Sequence, residues 1–197
     1  MLVEPFIPFL LFVLALYATP GPATLSIAAS GSAFGFRNTI GYAFGLVIGL
    51  MIIFILVSAG LIQLFNSFPW IHTSFLIVSS VYIVYLAYKI ATAPINKVSG
   101  ANRLGFFQGI PLNLFNPKAY FAVLSTVVQF AGKEDTGYAD FILVAGWVFI
   151  LALITNLIWA FMGSIIGARF SSGTIPKKIN YLFAILLILS ILWVALG

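Results

Sequence analysis

Residues 115–121 read FNPKAYF, and they place an amide, a helix-breaking proline and a cation side by side in an otherwise apolar chain. Asn116, Pro117 and Lys118 form the core of this motif, with Asn113 one turn earlier. A second interruption, TPGP, places Pro20, Gly21 and Pro22 directly after Thr19. An ammonium and several amides beside interrupted helices suit recognition of a carboxylate or other anionic group, because a helix N-terminus carries free N–H groups and a partial positive charge. Asn156, with Trp159 nearby, adds an amide that can serve such a site or form a plain interhelical hydrogen bond. Catalysis has little to work with. There is no Ser/His/Asp set, no paired carboxylate and no cluster of metal ligands. The absence of cysteine excludes disulfides, a thiol relay and a thiolate metal centre. The sequence therefore points to binding rather than to an enzyme, with no cofactor and no metal.

The elements that must position these residues follow from composition. Hydrophobic residues make up 62% of the 197 and charged residues 7%, with a mean hydropathy of +1.17, well outside the soluble range. About 20 apolar residues cross a bilayer core. The chain offers such stretches at roughly 5–29, 37–65, 70–91, 105–130, 138–167 and 178–196. This predicts an all-α integral membrane protein of six transmembrane helices, forming one membrane domain over 1–197. Met1–Glu4 lacks the positive charge of a signal peptide, so the first stretch is kept as a helix.

The longest polar linker, at about residues 92–104, divides the chain into three helices (about 1–91) and three more (about 105–197). Odd numbers per half predict two inverted repeats, the plan of many secondary transporters. The breaks fall at corresponding places, Pro20 and Pro117 being 97 residues apart. Basic residues sort by side. Arg37, Lys89, Lys97, Arg103, Arg169, Lys177 and Lys178 share one side, whereas Lys133 stands opposite, near Glu134, Asp135 and Asp140. The positive-inside rule makes the first side cytoplasmic and puts both termini outside. It accounts for the net charge of +5 without a nucleic acid.

Two placements of Lys118 are open. If helix 4 starts near Phe106, twelve residues put the lysine roughly 18 Å deep, where a cation costs at least about 2.5–3.5 kcal/mol and normally faces a cavity. If helix 4 proper begins at Pro117, the lysine snorkels to the cytoplasmic surface. The remaining interior polar groups are Thr24, Ser26, Gln108, Ser125, Thr126, Gln129, Thr155 and Ser164; all four acids lie near the N-terminus or in the region 134–140. Thr19 stands where it can cap the half-helix after the break. Gly41, Gly45 and Gly49 form a small-residue face, with Gly163 and Gly167 a shorter one. Such faces pack helices within a chain or pair two copies into a homodimer. His72, beside Pro69 and Trp70, is expected to be interfacial and structural.

ATPGPATL, GFRNTIGYAFGLVIGL and NLFNPKAYFAV resemble the lysine exporter (LysE/RhtB) family of bacterial amino-acid efflux carriers, over the whole chain. The resemblance implies export of amino acids or related small metabolites across the bacterial inner membrane, by proton exchange. It draws attention to Pro20, Gly21, Pro22, Asn116, Pro117 and Lys118. Some branches carry an acid after the glycines of helix 2, where this chain has Leu50 and Met51, which favours a neutral amino acid over a basic one. Two alternatives stand beside this: a non-transporting scaffold associating through its glycine faces, and a cation exporter of the wider superfamily, against which the missing buried acids and cysteines weigh.

Overall fold

The computed structural model describes residues 6–92, 104–131, 138–170 and 175–196, and every regular element among them is an α-helix. In chain order these are α1 (Phe6–Ala18), α2 (Pro22–Phe34), α3 (Phe36–Ser58), α4 (Leu61–Ser67), α5 (Pro69–Ala91), α6 (Phe106–Leu114), α7 (Pro117–Phe130), α8 (Tyr138–Arg169) and α9 (Ile175–Leu196). Among the described residues α3, α5 and α8 are long and apolar enough to cross a membrane, and the bent pair α1–α2 taken as one span makes up to four.

Local chemistry sets the boundaries. Pro22, Pro69 and Pro117 each open a helix in the first turn, where the missing N–H would have had no partner. The expected first helix is therefore two helices, α1 and α2, bent by 65° across residues 19–21. The stretch 105–130 is likewise divided, α6 ending at Leu114 and α7 starting at Pro117. Neither a single helix from 105 nor a lone helix from 117 describes it. The expected segment 37–65 also breaks. α3 ends at Ser58, and Gly60 takes a left-handed conformation at φ +92° before the short α4. Gly35, at φ +82°, lets α3 begin one residue after α2 ends.

Helix α3 is central. One buried cluster joins Ile27 on α2, Tyr42 and Leu46 on α3, Ile83 on α5, Leu112 on α6 and Leu187 on α9. A second joins Phe9 and Val13 on α1 to Val47 and Phe54 on α3, Val123 on α7 and Val148 on α8. Inside the bundle the Tyr42 hydroxyl donates to Ser26 Oγ at 3.0 Å, and Ser30 meets Thr39 at 3.2 Å. Large apolar side chains such as Ile55, Val81, Phe121 and Ile142 face outward, as a hydrocarbon solvent permits.

The glycine faces are occupied within the chain. A Cβ on Gly45 would meet the Phe106 backbone, and one on Gly49 the Ile110 backbone, so α3 and α6 touch backbone to backbone. Gly163 and Gly167 do the same against Ala28 and Ser32 of α2. The homodimer expected through these faces thus has no free glycine surface at those four positions, because helices of the same chain already fill it. These contacts also fix an end of the bundle. Gly167 against Ser32 sets the end of α8 close to the α2–α3 junction. Glu4, Lys97, Arg103, Lys133, Glu134 and Asp135, most of the linker, and the side chain of His72 lie outside the described residues.

A substitution series separates packing from association. Gly45→Leu or Gly163→Leu forces backbones apart and is expected to cost about 3 kcal/mol, lowering the melting temperature in detergent by roughly 6–12 °C. Gly146→Ala, on α8 with nothing within 4 Å of the new Cβ, should be neutral or raise it slightly.

Candidate functional site

The α1–α2 break leaves carbonyls without helical partners, and hydrocarbon offers no replacement. Trp159 Nε1 donates to Ala18 O at 3.2 Å. Thr19 Oγ1 donates to Leu16 O at 3.0 Å. The largest contribution comes from the other half of the chain. Lys118 Nζ donates to Thr19 O at 2.7 Å, to Thr19 Oγ1 at 2.7 Å and to Pro20 O at 3.3 Å. An ammonium has three protons, so all are committed. The cation also sits at the C-terminal end of α1, where the helix dipole favours positive charge. Its own backbone is in the first turn of α7, where a cation is unfavourable, so the stabilisation lies across the interface.

α7 begins at Pro117, and the Lys118 side chain turns to the α1–α2 break. It lies over Gly21, where any side chain would collide with the lysine's own methylenes. The capping expectation for Thr19 is corrected. Gly21 is the residue before α2, and Thr24 Oγ1 accepts the Gly21 N–H at 2.9 Å. Thr19 closes α1 instead. Of the break residues expected to face inward, Gly21 and Pro22 are buried, while Thr19 and Pro20 are exposed.

Beside the lysine lies a cleft with about 430 Å³ of empty space, its open mouth included. Five of the residues singled out in the sequence line it: Gly21, Asn113, Asn116, Lys118 and Asn156. Pro20, Pro22 and Pro117 do not, and they act by ending and starting helices. Gln108, Thr126 and Ser164 also stay outside; the last two bond to carbonyls of their own helices, and Gln108 caps α6 through the Gly105 N–H. Thr24 and Leu50 join those five in the wall, and Leu16, Ala119, Ala122 and Ala152, which carry no signal in the sequence, form much of the rest. No acidic side chain lines it.

Three amides meet here in different states. Asn113 Nδ2 donates to Leu46 O at 2.6 Å, fastening α6 to α3. Asn116 Nδ2 donates to Asn113 Oδ1 at 3.3 Å. Asn116 is 3% exposed, yet its Oδ1 has no hydrogen-bond partner. An unsatisfied buried acceptor costs about 1–3 kcal/mol. His, Cys, Asp and Glu form no metal-holding group among the described residues.

The model of the LysE type translocator family matches residues 14–194. The chain is 24% identical over 181 residues to a cysteine/O-acetylserine efflux protein of Salmonella choleraesuis strain SC-B67, covering 91% of this chain and 92% of the relative. It is 25% identical over 182 residues to one of Escherichia coli O139:H28, with the same coverage, and 24% identical to that of strain K12. No solved structure matches.

Lys118→Met should leave Pro20 O without a donor and Thr19 O with only the Thr24 hydroxyl, at 3.3 Å. The expected loss is about 1–3 kcal/mol, with faster amide hydrogen exchange over residues 16–25 than in the parent protein. Trp159→Phe, which removes one bond, should cost about 1 kcal/mol.

Proposed function

The chain belongs to the LysE type translocator family, whose members are membrane transporters and not enzymes, and from that premise we propose that it exports small neutral amino acids from the cytoplasm in exchange for protons. One observation carries the substrate class: the cleft between the two broken helices pairs a cation and amides with no carboxylate. A basic amino acid would bring a side-chain cation that nothing in the wall balances. Leu50, where some branches carry an acid, is part of that wall. The similarity to cysteine/O-acetylserine efflux proteins supports a small, uncharged side chain.

Six spans in two inverted repeats remain part of the proposal, with both termini outside and the Arg37 and Arg169 end in the cytoplasm of a bacterial inner membrane. The close packing of α3 on α6 and of α8 on α2, near that basic end, supports a conformation closed toward the cytoplasm. Alternating access then requires those contacts to open. Proton exchange is assigned to Lys118, the one amine in the wall. Its release of a proton removes the charge that clamps α1, and its reprotonation restores the clamp. The scaffold alternative rested on free glycine faces, and the four glycines that seat α3 on α6 and α8 on α2 are buried in intrachain contacts.

Counterflow of labelled neutral amino acids in proteoliposomes tests the proposal, with protein-free vesicles as background. Protein-dependent accumulation of small neutral members is expected. Lys118→Ala, recovered folded, should lower it at least about tenfold, equivalent to about 1.4 kcal/mol on the limiting barrier. Full activity in that variant would remove the lysine from the transport cycle. Absence of exchange for every member would overturn amino-acid export.

A further inference from the structure

Lys118 was expected to hold the substrate carboxylate, but its three protons are bound to Thr19 and Pro20. The anion must therefore find donors elsewhere. Helix α2 supplies them. Pro22 is its first residue, and the first helical bond runs from Leu25 N to Gly21 O at 2.9 Å. The N–H groups of Ala23 and Thr24 precede that bond and take no acceptor outside the helix among the described residues. Both residues line the cleft. Two free amides at the positive end of a 13-residue helix form a carboxylate seat, and the Lys118 charge over Gly21 strengthens it without donating.

The second half of the ligand is read by an acceptor. Asn116 Oδ1 is buried without a partner, and its orientation is fixed because Nδ2 is held by Asn113 Oδ1. Reversing the amide would set two oxygens against each other and is excluded by that contact. An acceptor in a wall without carboxylates suits a primary ammonium, which brings three donors.

We infer that the cleft binds its ligand as an oriented zwitterion, with the α-carboxylate on the Ala23 and Thr24 amides at the start of α2 and the α-ammonium on Asn116 Oδ1. This rests on the export proposal and adds polarity to it. Asn116 is then the residue that separates amino acids from hydroxy acids of the same shape, since a hydroxyl carries no charge and one proton. Asn113 and Lys118 are positioning residues: one orients Asn116, the other holds the α1–α2 break open beside the carboxylate seat.

The test is competition against labelled L-cysteine counterflow in proteoliposomes under reducing conditions. The competitors are 2-hydroxy-3-mercaptopropanoate, which replaces the amine by hydroxyl, and cysteamine, which lacks the carboxylate. In the parent protein each should compete about 10- to 100-fold more weakly than unlabelled cysteine, the equivalent of one lost charge-assisted hydrogen bond. In Asn116→Ala the preference for amine over hydroxyl should fall to within about threefold, while the preference for cysteine over cysteamine persists. Asn116→Ser, whose hydroxyl can still donate to Asn113, keeps the inference testable if the alanine variant does not fold, and it should show the same selective loss. Folded, active Asn116 variants that retain the full preference for amine over hydroxyl would overturn the ammonium assignment and leave export standing. If the parent protein exchanges no amino acid at all, export fails and this inference fails with it.

Discussion

Backbone carbonyls released inside hydrocarbon must find donors, and at the α1–α2 break most of that demand is met by one ammonium. Lys118 reaches from the second residue of α7 to Thr19 and Pro20, so a side chain of the second half completes a helix end in the first. Within the first half, the Thr24 hydroxyl reaches Thr19 O at 3.3 Å. Thr19 and Trp159 satisfy two further carbonyls, but neither brings charge to the negative end of α1. The cleft lies beside Gly21, at the break where α1 and α2 bend by 65°.

Around that centre, stability and function divide between two kinds of packing. Toward the basic end, glycines let α3 lie on α6 and α8 on α2 with backbones in contact. Association in lipid relies on such close van der Waals approach because area burial gives no driving force. Away from that end, aromatic rings fill the space, as in the edge contacts of Phe9 with Phe130 and Phe6 with Trp147. In the cleft wall Asn113 ties α6 to α3. A ligand seated there touches elements from both halves.

Much of this was legible in the residues themselves. A lysine, two prolines and their neighbouring amides are expensive in an apolar chain, so their positions announced the breaks and five of the cleft residues. What stayed hidden has physical causes. Lys118 was assigned to a substrate because sequence cannot show that carbonyls 98 and 99 positions away already take its protons. Alanines and leucines in the wall look like any other apolar residues of a membrane helix. The Ala23 and Thr24 amides belong to the backbone, and only the position of Pro22 hinted that a helix would begin there. The glycine faces were visible as faces, but the choice between an intrachain seam and a dimer contact depended on which helices come together.

The most direct test of the cleft as the transport site exploits the absence of cysteine from the chain. A single Ala23→Cys, at the start of α2 in the cleft wall, is exposed to a membrane-impermeant thiol reagent with and without a transported neutral amino acid. Ser67→Cys, exposed at the end of α4 and outside the cleft wall, is the control. The cleft thiol should react, and the amino acid should slow that reaction in proportion to its occupancy while leaving the control unaffected. A cleft thiol that reacts at the same rate with and without a transported amino acid would contradict the assignment and place the substrate elsewhere.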